Sequence, residues 1–203
     1  MHYHNIFSTE QKELLPVLSA FKKEFYLVGG TALALQIGHR QSIDFDLFKM
    51  QPINRKKILN KLNDLKIKYI VGYNNFEQLN LIINEVKFTF FQYMFDVPHD
   101  VKYENIITMP DLINIAAMKA LGKRAKWKDY VDLYFLIKYH FTIDQIAERA
   151  SIIYQDLFSI KLFKSQLIYF DFINYEEEVI YLGAPVPEQE IKDFLIDKAT
   201  EKF

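Results

Sequence analysis

The sequence predicts an α+β protein in which a mixed α/β first half is followed by an all-helical second half. Up to about residue 108, short apolar segments bounded by Gly, Pro and Asn alternate with helical patterns, as expected for strands between helices. From Met109 onward, apolar residues recur at helical spacing in the long segments. The predicted domains are therefore an α/β core at residues 1–108 and a helical subdomain at residues 109–203.

Capping residues and side-chain alternation define the elements of the first half. Ser8 and Gln11 form a capping-box pattern that begins a helix reaching about Lys23, and Pro16 is expected to kink that helix. The remaining predicted elements are a strand at 26–29, a helix at 31–37, a strand at 42–48, a helix within 54–68, a strand at 68–73 and a hairpin at 79–91 that turns at 84–85.

The second half reads as a series of helices. Pro110 and Asp111 are a helix-start signal, and Thr142 is a good N-cap for a later helix. The predicted helices are two within 111–139 that meet near 122–127, one at 142–154, one at 160–173 and one at 188–202.

Composition narrows the class of protein. The chain has 203 residues, half of them hydrophobic and a quarter charged, which is typical of a globular protein with a substantial core. No apolar run reaches the roughly 20 residues of a membrane span, and the absence of Cys excludes disulfides and thiolate metal sites. We expect no secretory signal and a cytoplasmic location, because no basic segment followed by an apolar one begins the chain.

The formal net charge of −1 is unevenly distributed. Residues 1–140 contain 19 Lys and Arg against 14 Asp and Glu, whereas residues 141–203 contain 6 against 12. Bulk charge therefore does not mark the chain as a nucleic-acid binder. The basic first part nevertheless permits a local site for a polyanion.

The clearest chemical signal lies in residues 25–48. A strand ends in Gly29-Gly30-Thr31, and after a short helix a second strand carries Asp44 and Asp46. Because side chains alternate along a strand, both aspartates are expected on one face, where their repulsion favours a bound Mg²⁺ or Mn²⁺. The glycine turn lets backbone N–H groups approach a phosphate closely. Together these residues predict metal-assisted chemistry on a nucleotide.

The segment GGTALALQIGHRQSIDFDLF, residues 29–48, resembles the signature of the nucleotidyltransferase superfamily with a polymerase-beta-like fold. More narrowly, Gly-His-Arg followed by Ser and Asp-Phe-Asp-Leu-Phe resembles the AbiEii/AbiGii-type nucleotidyltransferase toxins of abortive-infection and toxin–antitoxin systems. A second block, with Lys119 on one helix and Lys128-Asp129 opening the next, is similar to the helical motif of that family. The resemblance covers about residues 25–140.

This resemblance implies a mixed sheet with flanking helices and transfer of a nucleotide from an NTP to an acceptor hydroxyl. It also implies an RNA acceptor, such as tRNA, and a separately encoded antitoxin as partner. The implied catalytic residues are Asp44 and Asp46 as metal ligands, Lys119 and Asp129. The implied nucleotide-binding residues are Gly29, Gly30, Thr31, Arg40 and Lys119.

Several of these residues also have ordinary structural explanations. Lys119 could lie at the edge of the core, Asp129 could favour the dipole at its helix N-terminus, and Arg40 could pair with Asp44. A basic cluster around an aromatic ring is either an acceptor-nucleic-acid contact or a solvated turn between helices. Its members are Lys123, Arg124, Lys126 and Trp127.

One position departs from the family pattern. Polymerase-beta-like enzymes usually take a third carboxylate from a neighbouring strand, and here the expected position is occupied by Thr89. Three functions therefore stay open at this point. They are nucleotide transfer to RNA, transfer to a protein or a small molecule such as an aminoglycoside, and non-catalytic binding of a nucleotide or partner protein.

Overall fold

A five-stranded mixed sheet forms the centre of the first of two units, Met1–Asp111 and Leu112–Phe203, into which the chain divides. The computed structural model describes residues 2–121 and 126–201. The strands are β1 (Tyr26–Val28), β2 (Phe45–Lys49), β3 (Ile70–Asn74), β4 (Gln78–Ile83) and β5 (Val86–Gln92). Their order is β1-β2-β5-β4-β3, in which β2 and β5 are parallel and the other neighbours are antiparallel.

The two faces of this sheet differ in the residues that they carry and in their burial. One face is fully buried and consists of Phe45, Leu47, Leu79, Leu81, Phe88 and Phe90. Ring contacts join it to the N-terminal segment, since Phe21 lies 4.9 Å from Phe90 and Phe7 lies 6.0 Å from Phe45 between ring centroids. Because side chains alternate, the other face carries Asp46, and we call it the Asp46 face.

Local sequence signals account for the helices of the first unit. These helices are α1 (Thr9–Glu13), α2 (Leu15–Ala20), α3 (Gly29–Ile37) and α4 (Arg55–Asp64). Ser8 and Gln11 form the predicted capping box. The predicted kink is a complete break at Leu14, and Pro16 lies in the first turn of α2, where its N–H needs no intrahelical partner.

Two hairpins complete the first unit. Asn84 and Glu85, with φ angles of 47° and 65°, form the predicted turn between β4 and β5, because left-handed backbone at both positions matches strand twist. A second hairpin, β6 (Val101–Tyr103) and β7 (Ile107–Met109), was absent from the sequence prediction and contacts β1. Its strands are too short to show an alternating pattern.

The second unit consists mainly of helices over its described residues, with an irregular segment at 168–187, and the predicted α+β class is confirmed. Its helices are α5 (Leu112–Ala120), α6 (Trp127–Tyr139), α7 (Ile143–Tyr154), α8 (Ile160–Leu167) and α9 (Glu188–Thr200). The prediction of a helix to 173 was wrong, because α8 ends at Leu167 and Phe172 has left-handed backbone. Nowhere in residues 2–121 or 126–201 does a helix combine the length and apolarity needed to cross a membrane.

Replacing Phe90 by alanine tests the role of the buried sheet face. Phe90 is fully buried, so truncation leaves a cavity among its aromatic neighbours. We expect the free energy of unfolding, measured by urea denaturation, to fall by about 3–5 kcal/mol. Phe76→Ala is the control, since Phe76 is 75% exposed and its loss is expected to change stability by less than about 0.5 kcal/mol. Equal losses in both variants would contradict this description of the core.

Candidate active site

The start of α3 lies directly against Asp46. Val28, the last residue of β1, pairs with Asp46 in the antiparallel ladder, so Gly29 begins the helix beside that carboxylate. Gly29 has a φ of +72°, and a Cβ atom there would collide with Asp46 Oδ2. Position 29 therefore requires glycine for two reasons, namely the left-handed backbone and the close approach of the Asp46 carboxylate.

Gly30 makes room for a buried arginine. A Cβ at Gly30 would lie 2.5 Å from Arg40 Nη2 and 3.0 Å from Ser42 Oγ. Arg40 is only 3% exposed, and its Nη1 donates a hydrogen bond of 2.9 Å to the carbonyl of Gln41. Its positive charge therefore adds to the positive end of the α3 dipole.

The first turn of α3 suits an anion. The N-cap residue of α3, Val28, makes no side-chain cap hydrogen bond, and the first turn contains no acidic residue. Backbone N–H groups at the N-terminus of a helix have no intrahelical partners and bind phosphates readily. The predicted phosphate-binding residues Gly29 and Gly30 thus lie together in a positively polarised turn.

Thr31 has a different contact from the other residues of this turn. Its side chain is buried, and its Oγ1 donates a hydrogen bond of 2.5 Å to the carbonyl oxygen of Asp44 and lies 2.9 Å from Ser42 Oγ. The hydroxyl therefore holds the chain at Asp44 in place. A contact between Thr31 and a phosphate would have to use the backbone N–H.

The two predicted metal ligands are not both inside a strand. β2 begins at Phe45, so Asp46 lies within it and Asp44 immediately before it. Both aspartates are half-buried, whereas Phe45 between them is fully buried on the opposite face. The predicted strand start at residue 42 was wrong, because residues 41–44 are irregular and the Asp44 carbonyl is bound by Thr31.

A polar row crosses the Asp46 face next to these carboxylates. Asp46 pairs with Thr89 on β5, and Thr89 pairs with Asn80 on β4. Thr89 therefore lies in the register position next to Asp46. This is the position where the resemblance to polymerase-beta-like enzymes predicts a third carboxylate. Gln78 donates a hydrogen bond of 2.8 Å to Asn80 Oδ1 and orients that amide.

The donor atoms suit a hard divalent cation. Asp44 and Asp46 supply carboxylate oxygens, and Mg²⁺ commonly binds one or two carboxylates together with water and substrate phosphates. Within the part of the chain that the structure describes, no cluster of three or more His, Cys, Asp or Glu side chains is placed to hold a metal.

In the second unit, Lys119 lies between two aspartates. Its Nζ is 2.7 Å from Asp129 Oδ1 and 2.7 Å from Asp132 Oδ2. The Lys119 side chain is 9% exposed, Asp129 is 29% exposed and Asp132 is fully buried. Burial disfavours the charged ammonium, but the attraction and hydrogen bonds of Asp129 and Asp132 outweigh it and raise the pKa of Lys119.

Asp132 was missing from the predicted site residues. The available signal was its spacing, because residues three apart on a helix lie on one face, and Asp129 was already a candidate. Asp129 lies in the first turn of α6 and also binds Lys119. The two explanations of Asp129, as a helix-start residue and as a partner of Lys119, are thus compatible.

The aromatic residue of the predicted basic cluster, Trp127, is buried in the structure. Trp127 is 8% exposed, and its ring packs between Tyr130 and Tyr175 at centroid distances of 6.2 and 5.6 Å. Lys126 forms an ion pair of 2.5 Å with Glu177, which also binds Lys128. The other two predicted members, Lys123 and Arg124, lie outside the described residues.

Comparisons of sequence relate the chain to known proteins. Residues 14–96 match the family described as nucleotidyl transferase AbiEii toxin, type IV TA system. The chain is also 32% identical over 203 residues to the uncharacterized protein aq_aa25 of Aquifex aeolicus (strain VF5), and the match covers 95% of each chain.

Comparisons of structure show the same fold in two other proteins. A protein from H. pylori with a provisional nucleotidyltransferase assignment has a TM-score of 0.58 at 16% identity, covering 95% of this chain and 94% of that one. MenT4, a nucleotidyltransferase toxin from Mycobacterium tuberculosis H37Rv, has a TM-score of 0.55 at 12% identity, covering 94% and 82%. At these identities the likeness concerns the fold, and it confirms the predicted fold class.

Gly29→Ala tests the contact between the turn and Asp46. The added Cβ is strained at this backbone angle and overlaps the carboxylate, so we expect unfolding to require about 1–3 kcal/mol less. Gly183→Ala is the matched control, because a Cβ at Gly183 meets no heavy atom within 4 Å. Chemical denaturation of both variants measures the difference, and equal stabilities would refute the strained contact.

Lys119→Met tests the buried ion cluster. Removing the ammonium takes a cationic partner at 2.7 Å from the fully buried Asp132, so we expect a loss of about 3–5 kcal/mol in unfolding free energy. Adding Asp132→Leu should recover most of that loss, and a double variant as unstable as the single one would show that another interaction is responsible.

The raised pKa of Lys119 makes the stability of the fold depend on pH. The contribution of Lys119 to the free energy of unfolding is complete below the ordinary value of 10.5 and disappears as pH rises through the higher folded value.

Proposed function

Because the chain belongs to the AbiEii family of nucleotidyltransferase toxins of type IV toxin–antitoxin systems, we propose that this nucleotidyltransferase transfers a nucleotide from an NTP to a hydroxyl of RNA, using Mg²⁺ or Mn²⁺ held by Asp44 and Asp46. One observation carries the proposal. The Asp46 carboxylate packs against the glycine turn that begins α3, so the proposed phosphate site and one of the two proposed metal ligands are adjacent.

The glycine turn is proposed to bind the phosphates of the NTP. Backbone N–H groups of Gly29, Gly30 and Thr31 would donate to phosphate oxygens, as at other helix N-termini. The buried guanidinium of Arg40 beside Gly30 strengthens the positive potential there and keeps the first turn in place. Thr31 contributes a second effect by fixing the backbone of Asp44.

The proposed reaction is a displacement at phosphorus. The acceptor hydroxyl oxygen attacks the α-phosphorus, the bond between that phosphorus and the oxygen bridging to the β-phosphate breaks, and pyrophosphate leaves. The hydroxyl proton passes to water. When bound, the divalent ion supplies neutralisation of phosphate charge. Asp44 and Asp46 would hold that ion beside the polar row, where Thr89 cannot accept a proton at neutral pH.

Lys119 is proposed to offset phosphate charge, as the family motif implies. Asp132 is fully buried and would retain the ammonium, whereas Asp129 is partly exposed and can yield to a phosphate oxygen. The compact ammonium of lysine is a common partner of phosphates. Asp129 would then orient Lys119 before the nucleotide binds.

The proposed partners are an RNA acceptor and a cognate antitoxin protein. Support comes from the matched family description, which names a toxin of a type IV TA system, and from the excess of basic residues in positions 1–140.

The acceptor is tested by incubating the protein and Mg²⁺ with each α-labelled NTP, in parallel with total RNA, cell protein and a panel of aminoglycosides. Label on RNA is expected. Label found only on protein or drug would overturn the RNA acceptor while leaving nucleotide transfer intact.

Asp44→Asn and Asp46→Asn test the metal ligands. Each change keeps the side-chain volume and removes the negative charge, so we expect nucleotide transfer to fall by on the order of 10²–10³-fold or more, with an unchanged melting temperature. Glu85→Gln, in the exposed turn between β4 and β5, is the matched control and should keep full activity. Normal transfer by either aspartate variant would exclude this mechanism.

A further inference from the structure

A row of aromatic rings lies next to the polar row on the Asp46 face. Phe48 of β2 pairs with Phe91 of β5, two residues further along the strands than the pair Asp46 and Thr89. Side chains two residues apart share a face, so these rings stand about 7 Å from the carboxylate along the strand direction. Tyr93 follows on the same side, and we call Phe48, Phe91 and Tyr93 the aromatic row.

The rings of the aromatic row contact one another. Their centroids are separated by 5.1 Å between Phe48 and Phe91, 5.2 Å between Phe48 and Tyr93, and 6.3 Å between Phe91 and Tyr93. All three residues are half-buried, whereas Phe88 and Phe90 on the other face are fully buried. The row is therefore a continuous aromatic surface that keeps contact with solvent, instead of a part of the core.

We propose that the aromatic row is a stacking platform for a nucleobase, which makes the Asp46 face a binding surface for single-stranded nucleic acid. The inference rests on the proposed function. Every base has a π-face, so aromatic side chains bind unpaired bases with little dependence on sequence. The spacing of about 7 Å from Asp46 resembles the separation of base and phosphate within one nucleotide, so a base on the row leaves its own backbone near the carboxylate.

A cleft continues from the aromatic row. It has a volume of about 280 Å³ and is lined by Tyr26, which pairs with Phe48, and by Phe95, whose ring lies 5.3 Å from Tyr93. Two lysines and two carboxylates also line it, namely Lys23, Lys49, Glu24 and Asp96, and Lys49 extends from the opposite face of β2, with its Nζ 5.3 Å from the ring centroid of Phe25. Lys23 is therefore the lysine of the cleft that suits a backbone phosphate of a single strand extending beyond the stacked base.

Two sources can supply the base, namely the NTP or the end of the acceptor strand. Binding assays without catalysis distinguish them. In one arm, anisotropy of a labelled single-stranded RNA hexamer is measured without NTP, and in the other, calorimetry measures NTP binding with Mg²⁺. The full chain is used in both arms.

Phe91→Leu and Phe48→Leu keep apolar bulk and remove the π-face. We expect each to weaken binding by about tenfold in the arm whose base uses the row. Phe91→Tyr should bind as the unchanged protein does, and Phe76→Leu, in the exposed turn between β3 and β4, is the control. Melting temperatures should agree among these variants, which separates loss of stacking from loss of fold.

Each result decides the proposal. Weakening in the RNA arm assigns the row to a base of the acceptor strand and supports the proposal, whereas weakening in the NTP arm alone assigns the row to the donor base and overturns a surface for single-stranded nucleic acid. Leucine variants that bind normally in both arms, or an unchanged protein that binds neither ligand, overturn it. Because no turnover is measured, these outcomes are independent of the Asp44→Asn and Asp46→Asn activity test.

The proposed path of the strand through the cleft is tested by the salt dependence of RNA binding. Removal of one phosphate contact should reduce the slope of log affinity against log salt for single-stranded RNA by about 0.7. We expect this reduction for Lys23→Ala, and no change for Lys12→Ala on the exposed side of α1. An unchanged slope in Lys23→Ala would contradict a path through the cleft.

Discussion

The contact between the Asp46 carboxylate and the backbone of Gly29 is the constraint on which the rest of the first unit's site depends. It exists because β1 ends opposite Asp46 and passes at once into α3 with left-handed backbone. A negative group and the positive end of a helix thereby meet in one place. Arg40 and Thr31 pack beneath this junction, so a large part of the surrounding sequence serves to hold it.

The second unit also brings opposite charges into contact, but in a different geometry. Lys119 is buried, and its charge is kept by two carboxylates that differ in exposure. Asp132 is fully buried, whereas Asp129 is 29% exposed. The observed contacts account for the structural interpretation of Lys119, and the difference in exposure between the two aspartates is what the proposed phosphate contact uses.

Features governed by neighbouring residues were predictable from the sequence. The capping box at Ser8, the N-cap at Thr142 and the turn at Asn84 and Glu85 depend on residues within one turn, and the structure contains them. The burial of Trp127 could not be predicted in this way, because it depends on Tyr175 in a distant loop. The late start of β2 has the same cause, since the hydrogen bond from Thr31 crosses between two elements.

Gly29 affects which mutations are expected when cells are selected for survival of toxin expression. Every missense change at its codon adds at least a Cβ atom, and that atom falls where the Asp46 carboxylate already lies. A single base substitution at this codon therefore disturbs the junction on which the proposed site depends. Cultures that survive toxin expression should be enriched in alleles altered there, with the protein still made in full length.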